Sequence, residues 1–270
     1  MPELPEIAVL ARQMQAELVG RTIVGVQVLQ PRCLNMTKRA FVRALTGAEI
    51  LEVTQRGKWL LVETTRGWLL LCLGMGGEIL LVNRTSLPKK YRLVFDFADG
   101  DCLSVNFWWF GYAHYARPDK LVRHRMTAKL GPNALDMTAD ELWSKLEGRR
   151  GQIKSFLLDQ SKIAGIGNSY IHDILFFARL HPLRSIKSLT PQDGQRLFEA
   201  ICTGLRPSLD KGGSFYEMDL YGKKGGFTMD DILIGYKVGK PCPVCATPIQ
   251  KIKTGGTSSF ICPHCQPRKG

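Results

Sequence analysis

The stretch CPVCATPIQKIKTGGTSSFICPHC, residues 242–265, contains two Cys-x-x-C pairs. This spacing lets two short loops converge on one tetrahedral ion. We therefore predict one structural Zn²⁺, bound by the thiolates of Cys242, Cys245, Cys262 and Cys265. Two redox or disulfide pairs are the alternative, but no βαβ pattern surrounds either pair. The stretch predicts a terminal zinc-binding β-hairpin, a unit common in proteins that bind nucleic acid, without identifying the function.

The charge balance also favours a polyanionic partner. The chain has 37 Lys+Arg against 24 Asp+Glu, a formal net charge of +13, and such an excess is typical of nucleic-acid-binding proteins. No acidic residue follows Asp231, whereas six basic residues do: Lys237, Lys240, Lys251, Lys253, Arg268 and Lys269. A solvated basic tail is the simpler alternative.

The sequence carries no signal for a membrane or for secretion. No stretch approaches the ~20 apolar residues of a membrane span, and the N-terminus lacks a basic start and an apolar core. We therefore expect a cytoplasmic protein without membrane association. The four cysteines outside the pairs are expected to pack as small hydrophobic residues: Cys33, Cys72, Cys102 and Cys202.

The hydrophobic pattern predicts an α+β fold. One amphipathic helix opens the chain, with Pro5 in its first turn and Gly20 as its stop, and short strands with turn residues between them follow as a β-sandwich. We place them at Thr22–Leu29, Ile50–Val53, Trp59–Glu63, Trp68–Leu73, Ile79–Val82, Arg92–Phe97 and Cys102–Phe107.

From about residue 120 the hydrophobic period changes to 3.6, which predicts helices. Their apolar faces fall at Leu142–Leu146, Ile153–Leu158, Tyr170–Ala178 and Leu197–Leu205. We predict three domains: a helix and β-sandwich (1–120), a helical domain with a mobile Gly-rich loop (121–236), and the zinc hairpin (237–270).

The N-terminus offers reactive groups. Removal of Met1 would give Pro2 a free secondary amine, which can attack a sugar C1′ and form an iminium. Glu3 and Glu6 lie within one helical turn of it. Prolines and acids also suit any helix start, and that explanation is preferred for this run alone.

Further motifs favour a catalytic role for this run over a simple helix start. They are Arg56-Gly57-Lys58, Leu73-Gly74-Met75-Gly76-Gly77, Leu130-Gly131-Pro132 and Ala164-Gly165-Ile166-Gly167-Asn168. With Pro2–Glu6 and the cysteine hairpin, they make the chain resemble, nearly end to end, the formamidopyrimidine-DNA glycosylase/endonuclease VIII family of base-excision repair enzymes.

The resemblance implies a bifunctional glycosylase and abasic-site lyase. Pro2 would attack C1′ of a flipped, oxidised nucleoside, Glu3 would protonate the sugar, and Glu6 would support the site. Lys58 would hold a phosphate beside the lesion. Elimination at both phosphates would then leave a one-nucleotide gap. Extrusion of the nucleotide from the duplex makes this chemistry sterically possible.

The resemblance also implies that residues 1–120 form the catalytic domain and that residues 121–236 form a helical DNA-binding domain with a helix–two-turn–helix. Gly167 would let the backbone approach a phosphate, and Asn168 and Lys154 would contact it. A helix–turn–helix whose glycines serve packing alone is the alternative. Residues 212–226 would correspond to the loop that closes over the extruded base.

Two departures from the family pattern affect DNA reading. Met75 and Phe110 match the residues that fill the space of the flipped base, but tryptophans replace two arginines at Trp108 and Trp109. An indole stacks and has one donor, so opposite-base discrimination is expected to be weaker or different. Alternatively, these aromatics dock on another surface or are buried in the sandwich; we expect burial of at least one.

The second departure is in the hairpin, where Thr257 occupies the place of a phosphate-binding arginine. Lys251 and Lys253 would deliver charge nearby, but threonine offers one neutral hydrogen bond where arginine offers a fork. The catalytic end therefore matches the family more closely than the DNA-reading end.

The leading hypothesis is a monomeric, bacterial, nucleoid-associated DNA glycosylase/lyase that acts on double-stranded DNA containing a damaged base or an abasic site. A catalytically weak or inactive member that binds damaged or distorted DNA is the alternative. A zinc-ribbon protein of RNA metabolism would leave Pro2, Glu3 and Lys58 unexplained.

Overall fold

The computed structural model describes residues 1–268; Lys269, the last of the basic residues named above, lies outside this range. The chain forms two compact units, one of Met1–Lys129 with Lys211–Gly226, the other of Leu130–Asp210 with the chain from Phe227 onward. Residues 211–226, which we grouped with the helical domain on sequence grounds, thus pack with the first unit.

The first unit contains two helices and eight strands. They are α1 (Leu4–Leu18), β1 (Thr22–Val28), α2 (Lys38–Leu45), β2 (Ala48–Arg56), β3 (Trp59–Thr64), β4 (Gly67–Cys72), β5 (Glu78–Asn83), β6 (Leu93–Phe97), β7 (Asp101–Asn106) and β8 (Tyr112–Ala116). The strand order is β5-β7-β6-β1-β2-β3-β4-β8, with every pairing antiparallel. Two paired positions join β1 to β2, which links two four-stranded halves.

Both halves bury side chains in one core, which confirms the predicted sandwich. Ile50 and Val62 come from one half, and Phe95 and Val105 from the other. The apolar face of α1 covers this core as its periodicity predicts: Ile7, Leu10, Met14 and Leu18 are each 1% exposed or less.

All seven predicted strands are present, but β8 and α2 were missed. In β8, Tyr-Ala-His-Tyr-Ala lacks a clean alternation of apolar and polar residues; pairing with β4 decides its structure. In α2, Thr37 caps the first turn by accepting a hydrogen bond from the Ala40 amide at 3.3 Å. Phe41 and Leu45 of α2 are fully buried.

Residues 211–226 are attached to the sandwich through Leu220. Its side chain is fully buried in the core. Its carbonyl accepts from the Leu81 amide at 2.9 Å, and its amide donates to Oε1 of Gln13 at 2.9 Å. The Gly-rich loop predicted to be mobile is therefore tied down at its centre.

The second unit contains helices and the terminal hairpin. They are α3 (Ala139–Leu146), α4 (Ile153–Leu158), α5 (Ile171–Phe177), α6 (Pro191–Asp210), β9 (Gln250–Thr254) and β10 (Thr257–Ile261). The predicted helix–two-turn–helix is α4, the turns at 159–170, and α5. Within residues 1–268, no helix combines the length and apolar character needed to span a bilayer.

Phe41→Ala tests the core of the first unit. Phe41 is fully buried and packs on Phe95 with ring centroids 6.4 Å apart, so its truncation leaves a cavity that costs about 3–5 kcal/mol. The urea midpoint of the first unit should fall accordingly. Val122→Ala, at a side chain that is 79% exposed, is the control and should leave the midpoint unchanged; equal effects would contradict the assignment.

Candidate functional site

Met1 is 42% exposed, but the chain is buried from Pro2 onward, although the first residues of a chain are normally exposed. Pro2 is buried, and Glu3 and Glu6 are 3% and 5% exposed. The Glu3 amide donates to Oε2 of Glu6 at 2.8 Å, one half of a capping box. The predicted catalytic residues of α1 therefore share one enclosed corner.

Residues 213–217 close this corner. The Ser214 amide donates to Oε1 of Glu6 at 3.1 Å. Gly213 has φ +98°, and a Cβ there would lie 3.2 Å from Cγ of Glu6. The Met1 ammonium forms an ion pair with Oε1 of Glu217 at 3.2 Å. Burial raises the pKa of the Glu217 carboxyl, opposed by the N-terminal charge.

Sequence reasoning did not find Ser214 or Glu217. The glycines before them indicate a turn. Nothing in the local sequence indicates that this turn contacts α1, because Ser214 is 208 positions from its partner Glu6.

Lys58 follows Gly57 in the tight turn between β2 and β3, where Gly57 has φ +59°. Lys58 is half-buried. Burial raises the pKa of the Cys72 thiol, and the positive charge of Lys58 partly opposes that rise. Lys58 thus lies close to the end of β4, where the 73–77 loop with Met75 begins.

The aromatic loop, Trp108–Phe110, projects into solvent. Trp108, Trp109 and Phe110 are 63%, 65% and 66% exposed, and Met75 is 49% exposed. Our expectation that at least one of these aromatics is buried in the sandwich was wrong. Three adjacent exposed rings form an apolar surface of the kind that marks a binding site.

Backbone contacts hold this loop in place. The Met75 amide donates to the Trp109 carbonyl at 2.8 Å, and the Trp108 amide donates to the Met75 carbonyl at 3.1 Å. Gly74 is required here, because a Cβ would lie 2.1 Å from the Trp109 carbonyl oxygen. The backbone is fixed, which leaves the rings free to meet a partner.

Aromatic and histidine side chains from β3, β8 and the chain after β8 form a cluster of rings. Trp59, next to Lys58, stacks on Tyr112 at 6.0 Å and 11°. Nδ1 of His114 lies 2.9 Å from Nε2 of His124. The Thr127 amide donates to Nδ1 of His124, so we infer that the His124 proton is on Nε2 and is donated to His114. Burial lowers the pKa of His114 to about 4, helped by His124.

In the second unit, the turn before α5 presents Asn168, which is exposed, after the buried Gly167. The side-chain amide of Gln160 braces this turn: Oε1 accepts from the Gly165 amide at 2.9 Å and Nε2 donates to the Ile166 carbonyl at 2.8 Å. Gln160 was not predicted to have a role.

Asp173 and Tyr236 complete this surface, and sequence reasoning missed both. The buried Asp173 carboxylate accepts three consecutive amides, those of residues 233–235, at 2.6 to 3.0 Å. This places Tyr236, with φ +63°, so that its hydroxyl donates to the Asn168 carbonyl at 3.2 Å. Tyr236 is 51% exposed beside the predicted phosphate-binding residue.

Lys154 is 3% exposed and points into the hairpin. Its three N–H groups are shared among four oxygens that lie 2.7 to 3.0 Å from Nζ: Thr254 Oγ1, Thr257 Oγ1, Ser258 O and Ser259 Oγ. Burial lowers its pKa to about 8. Thr257 is thus bonded to Lys154, while Lys251 and Lys253 are exposed on β9.

The four predicted zinc ligands converge. The sulfur atoms of Cys242, Cys245, Cys262 and Cys265 all lie within 4.8 Å of one another. A Zn–S bond of about 2.3 Å places the corners of a tetrahedron about 3.8 Å apart, and the Cys242 and Cys265 sulfurs are 3.8 Å apart.

Amides support the same set. The Val244 amide donates to Cys242 Sγ, and the Cys265 amide donates to Cys262 Sγ, both at 3.4 Å. Hydrogen bonds from Thr247 lower the pKa of the Cys245 thiol to about 6. The donor set fits one structural Zn²⁺ with no open position.

Domain families match most of the chain. The formamidopyrimidine-DNA glycosylase N-terminal domain matches residues 1–106, the formamidopyrimidine-DNA glycosylase H2TH domain residues 130–219, and a zinc finger found in FPG and IleRS residues 239–268.

Whole-chain relatives agree. Formamidopyrimidine-DNA glycosylase of Symbiobacterium thermophilum is 34% identical over 274 residues, which cover 99% of this chain and 90% of the relative. A Lactococcus lactis FPG mutant in complex with Fapy-dG containing DNA aligns with a TM-score of 0.90 at 28% identity, over 99% of this chain and all of that one. Lactococcus lactis Fpg in complex with an abasic site containing DNA aligns with a TM-score of 0.89 at 27% identity, over 98% of this chain and 100% of that one. This chain belongs to the formamidopyrimidine-DNA glycosylase family.

Acid should destabilise the first unit through His114. The pKa of His114 is about 4 in the folded protein and near 6.5 when unfolded. Below pH 6.5 the unfolded chain therefore binds a proton that the folded chain lacks, which favours unfolding until the pH reaches about 4. In His114→Gln, the free energy of unfolding should fall less than in the wild type between pH 6.5 and 5, by up to about 1.4 kcal/mol per pH unit. Urea titrations measure both free energies. If they depend on pH in the same way in the wild type and in His114→Gln, the role of His114 is refuted.

Lys154→Met should loosen the hairpin without releasing zinc. The substitution removes the donor of two buried hydroxyls, those of Thr254 and Ser259, and of two less buried oxygens, which costs about 1–3 kcal/mol. Amide hydrogen exchange across residues 250–261 should accelerate, with the zinc content unchanged. Lys187→Met, at an exposed lysine of the same unit, is the control. Exchange equal to that of the control would show that Lys154 does not hold the hairpin.

Proposed function

We propose that this member of the formamidopyrimidine-DNA glycosylase family is a bifunctional DNA glycosylase and abasic-site lyase that removes oxidised bases through its N-terminal proline. The burial of Pro2 carries the proposal: Pro2 lies beside the buried carboxylates of Glu3 and Glu6, next to an ion-paired terminal ammonium. A structural role alone would not require the second residue of the chain to be enclosed among carboxylates.

The chemistry follows from these groups. With Met1 removed, the Pro2 nitrogen attacks C1′ of an extruded nucleotide and the damaged base departs with the bonding electron pair. Glu3 protonates the sugar ring oxygen, the ring opens, and an iminium forms. Glu6 supports the site through its bonds to the Glu3 and Ser214 amides. Lys58 binds a phosphate beside the lesion, and elimination then breaks the strand.

DNA is bound by both units. In the second, Asn168 contacts a phosphate, with Gly167 behind it. Lys154 acts indirectly, because its ammonium holds the hairpin on which Lys251 and Lys253 are exposed. The zinc ion fixes the base of that hairpin, and Thr257 supplies a neutral contact at most. The substrate is double-stranded DNA with a damaged base or an abasic site, and the chain acts as a monomer.

The exposed aromatic loop sets the opposite-base preference. Trp108, Trp109, Phe110 and Met75 fill the space of the extruded nucleotide and stack on neighbouring bases, whose faces are all similar. Recognition of the orphaned base therefore depends less on hydrogen bonds. The named relative is bacterial, and we place this activity in the bacterial cytoplasm, at the nucleoid.

Blocking the terminal amine tests the proposal. Protein with Pro2 at its terminus should form a borohydride-stable adduct with abasic-site DNA, whereas protein whose N-terminal extension keeps the Pro2 nitrogen in a peptide bond should form none. Mass spectrometry verifies both termini. Tight binding without an adduct by the free-terminus protein would instead support the alternative of a binding protein without excision. Tighter binding to single-stranded RNA at matched salt would support the RNA hypothesis.

A further inference from the structure

Glu217 is the acidic group closest to the reactive end of the chain that the mechanism above does not use. Its Oε1 lies 3.2 Å from the Met1 nitrogen. The Pro2 nitrogen is one residue further on, a span of at most ~3.6 Å. The Glu217 side chain is 16% exposed and that of Met1 is 35% exposed, so the ion pair lies at the edge of the buried corner, with the carboxylate on its inner side.

Backbone hydrogen bonds hold the main chain of Glu217 in place. The Glu217 amide donates to the Ser214 carbonyl at 3.0 Å, and the Glu217 carbonyl accepts from the Gly225 amide at 3.4 Å. Ser214 is itself bonded to Glu6. The position of Glu217 is therefore fixed relative to the start of α1.

We propose that Glu217 is a further catalytic residue, which positions the Pro2 amine and accepts the proton that this amine must release. The inference rests on the proposed function. A protonated secondary amine has no lone pair with which to attack C1′, so a base is needed. Glu6 already accepts amides at both oxygens, and Glu3 serves as the acid toward the sugar.

The proton balance is as follows. The Pro2 ammonium transfers one proton to Glu217, and the freed lone pair forms the N–C1′ bond as the C1′–base bond breaks, its electrons leaving with the base. Solvent then takes the proton from Glu217, and Glu217 accepts the remaining N–H proton. Glu3 protonates the ring oxygen, the bond from C1′ to that oxygen breaks, and the nitrogen lone pair forms the C=N⁺ bond.

The surroundings of Glu217 suit a base. Burial and the charge of Glu6 raise the pKa of its carboxyl, and the terminal ammonium opposes this rise. A higher carboxyl pKa narrows the gap to the amine, so proton transfer costs less. Glu3 is the other acidic group at this corner.

Glu217→Gln keeps the shape of the side chain and removes the base. At pH 7, borohydride trapping on abasic-site DNA should slow by about 100-fold or more. Unlike the wild type, the variant should recover rate steadily as pH rises, because solvent then deprotonates the amine. DNA affinity should change less than about threefold. The Pro2 amine pKa, followed by ¹⁵N-proline NMR without DNA, should fall because the ammonium loses its partner.

Glu17→Gln is the matched control. Oε1 of the half-buried Glu17 accepts from the Tyr221 hydroxyl at 2.7 Å, so this variant also loosens residues 211–226 but leaves the amine alone. It should behave as the wild type in every measurement. Equal slowing in both variants, or an unchanged rate and pH profile in Glu217→Gln, would overturn the catalytic role. If free-terminus wild type forms no adduct, the proposed function fails; an unchanged amine pKa would separately refute the contact with Glu217.

Discussion

The Glu6 carboxylate makes the bond on which the first unit depends most. One oxygen accepts the Glu3 amide at the start of α1, and the other accepts the Ser214 amide from the distant 211–226 segment. A buried carboxylate is tolerated only when its oxygens are hydrogen-bonded. Because the two donors come from opposite ends of the chain, satisfying one side chain closes the corner around Pro2.

In the second unit, two other buried charged side chains, Asp173 and Lys154, are also compensated by hydrogen bonds. Asp173 accepts three backbone amides and so places Tyr236 beside Asn168. The three N–H groups of Lys154 are shared among four hairpin oxygens. In each case a buried charge meets neutral dipoles, which fixes the direction of the side chain as well as compensating its desolvation. These interactions leave the neighbouring exposed groups available for DNA.

Local sequence patterns were enough to predict most of the fold. Periodicity found α1 and the seven strands, and the cysteine spacing gave the zinc ligands, because each of these signals lies within a short window. The β8 strand was missed because only pairing with β4 decides its structure. Burial of the aromatic loop was predicted wrongly because hydrophobicity alone does not show that Gly74 and two backbone bonds hold the loop outward. Ser214, Glu217 and Asp173 were not found, because their partners are distant in sequence.

Synthesis proceeds from the N-terminus, and the first unit is discontinuous in the chain. On the ribosome, Pro2 therefore emerges long before Ser214 and Glu217, the residues that enclose it. In the folded protein Met1 is 42% exposed, but its ammonium is ion-paired with Glu217 and the Pro2 that follows it is buried. The Met1–Pro2 bond is therefore more open to an aminopeptidase before residues 211–226 are made than after they have packed against the start of α1.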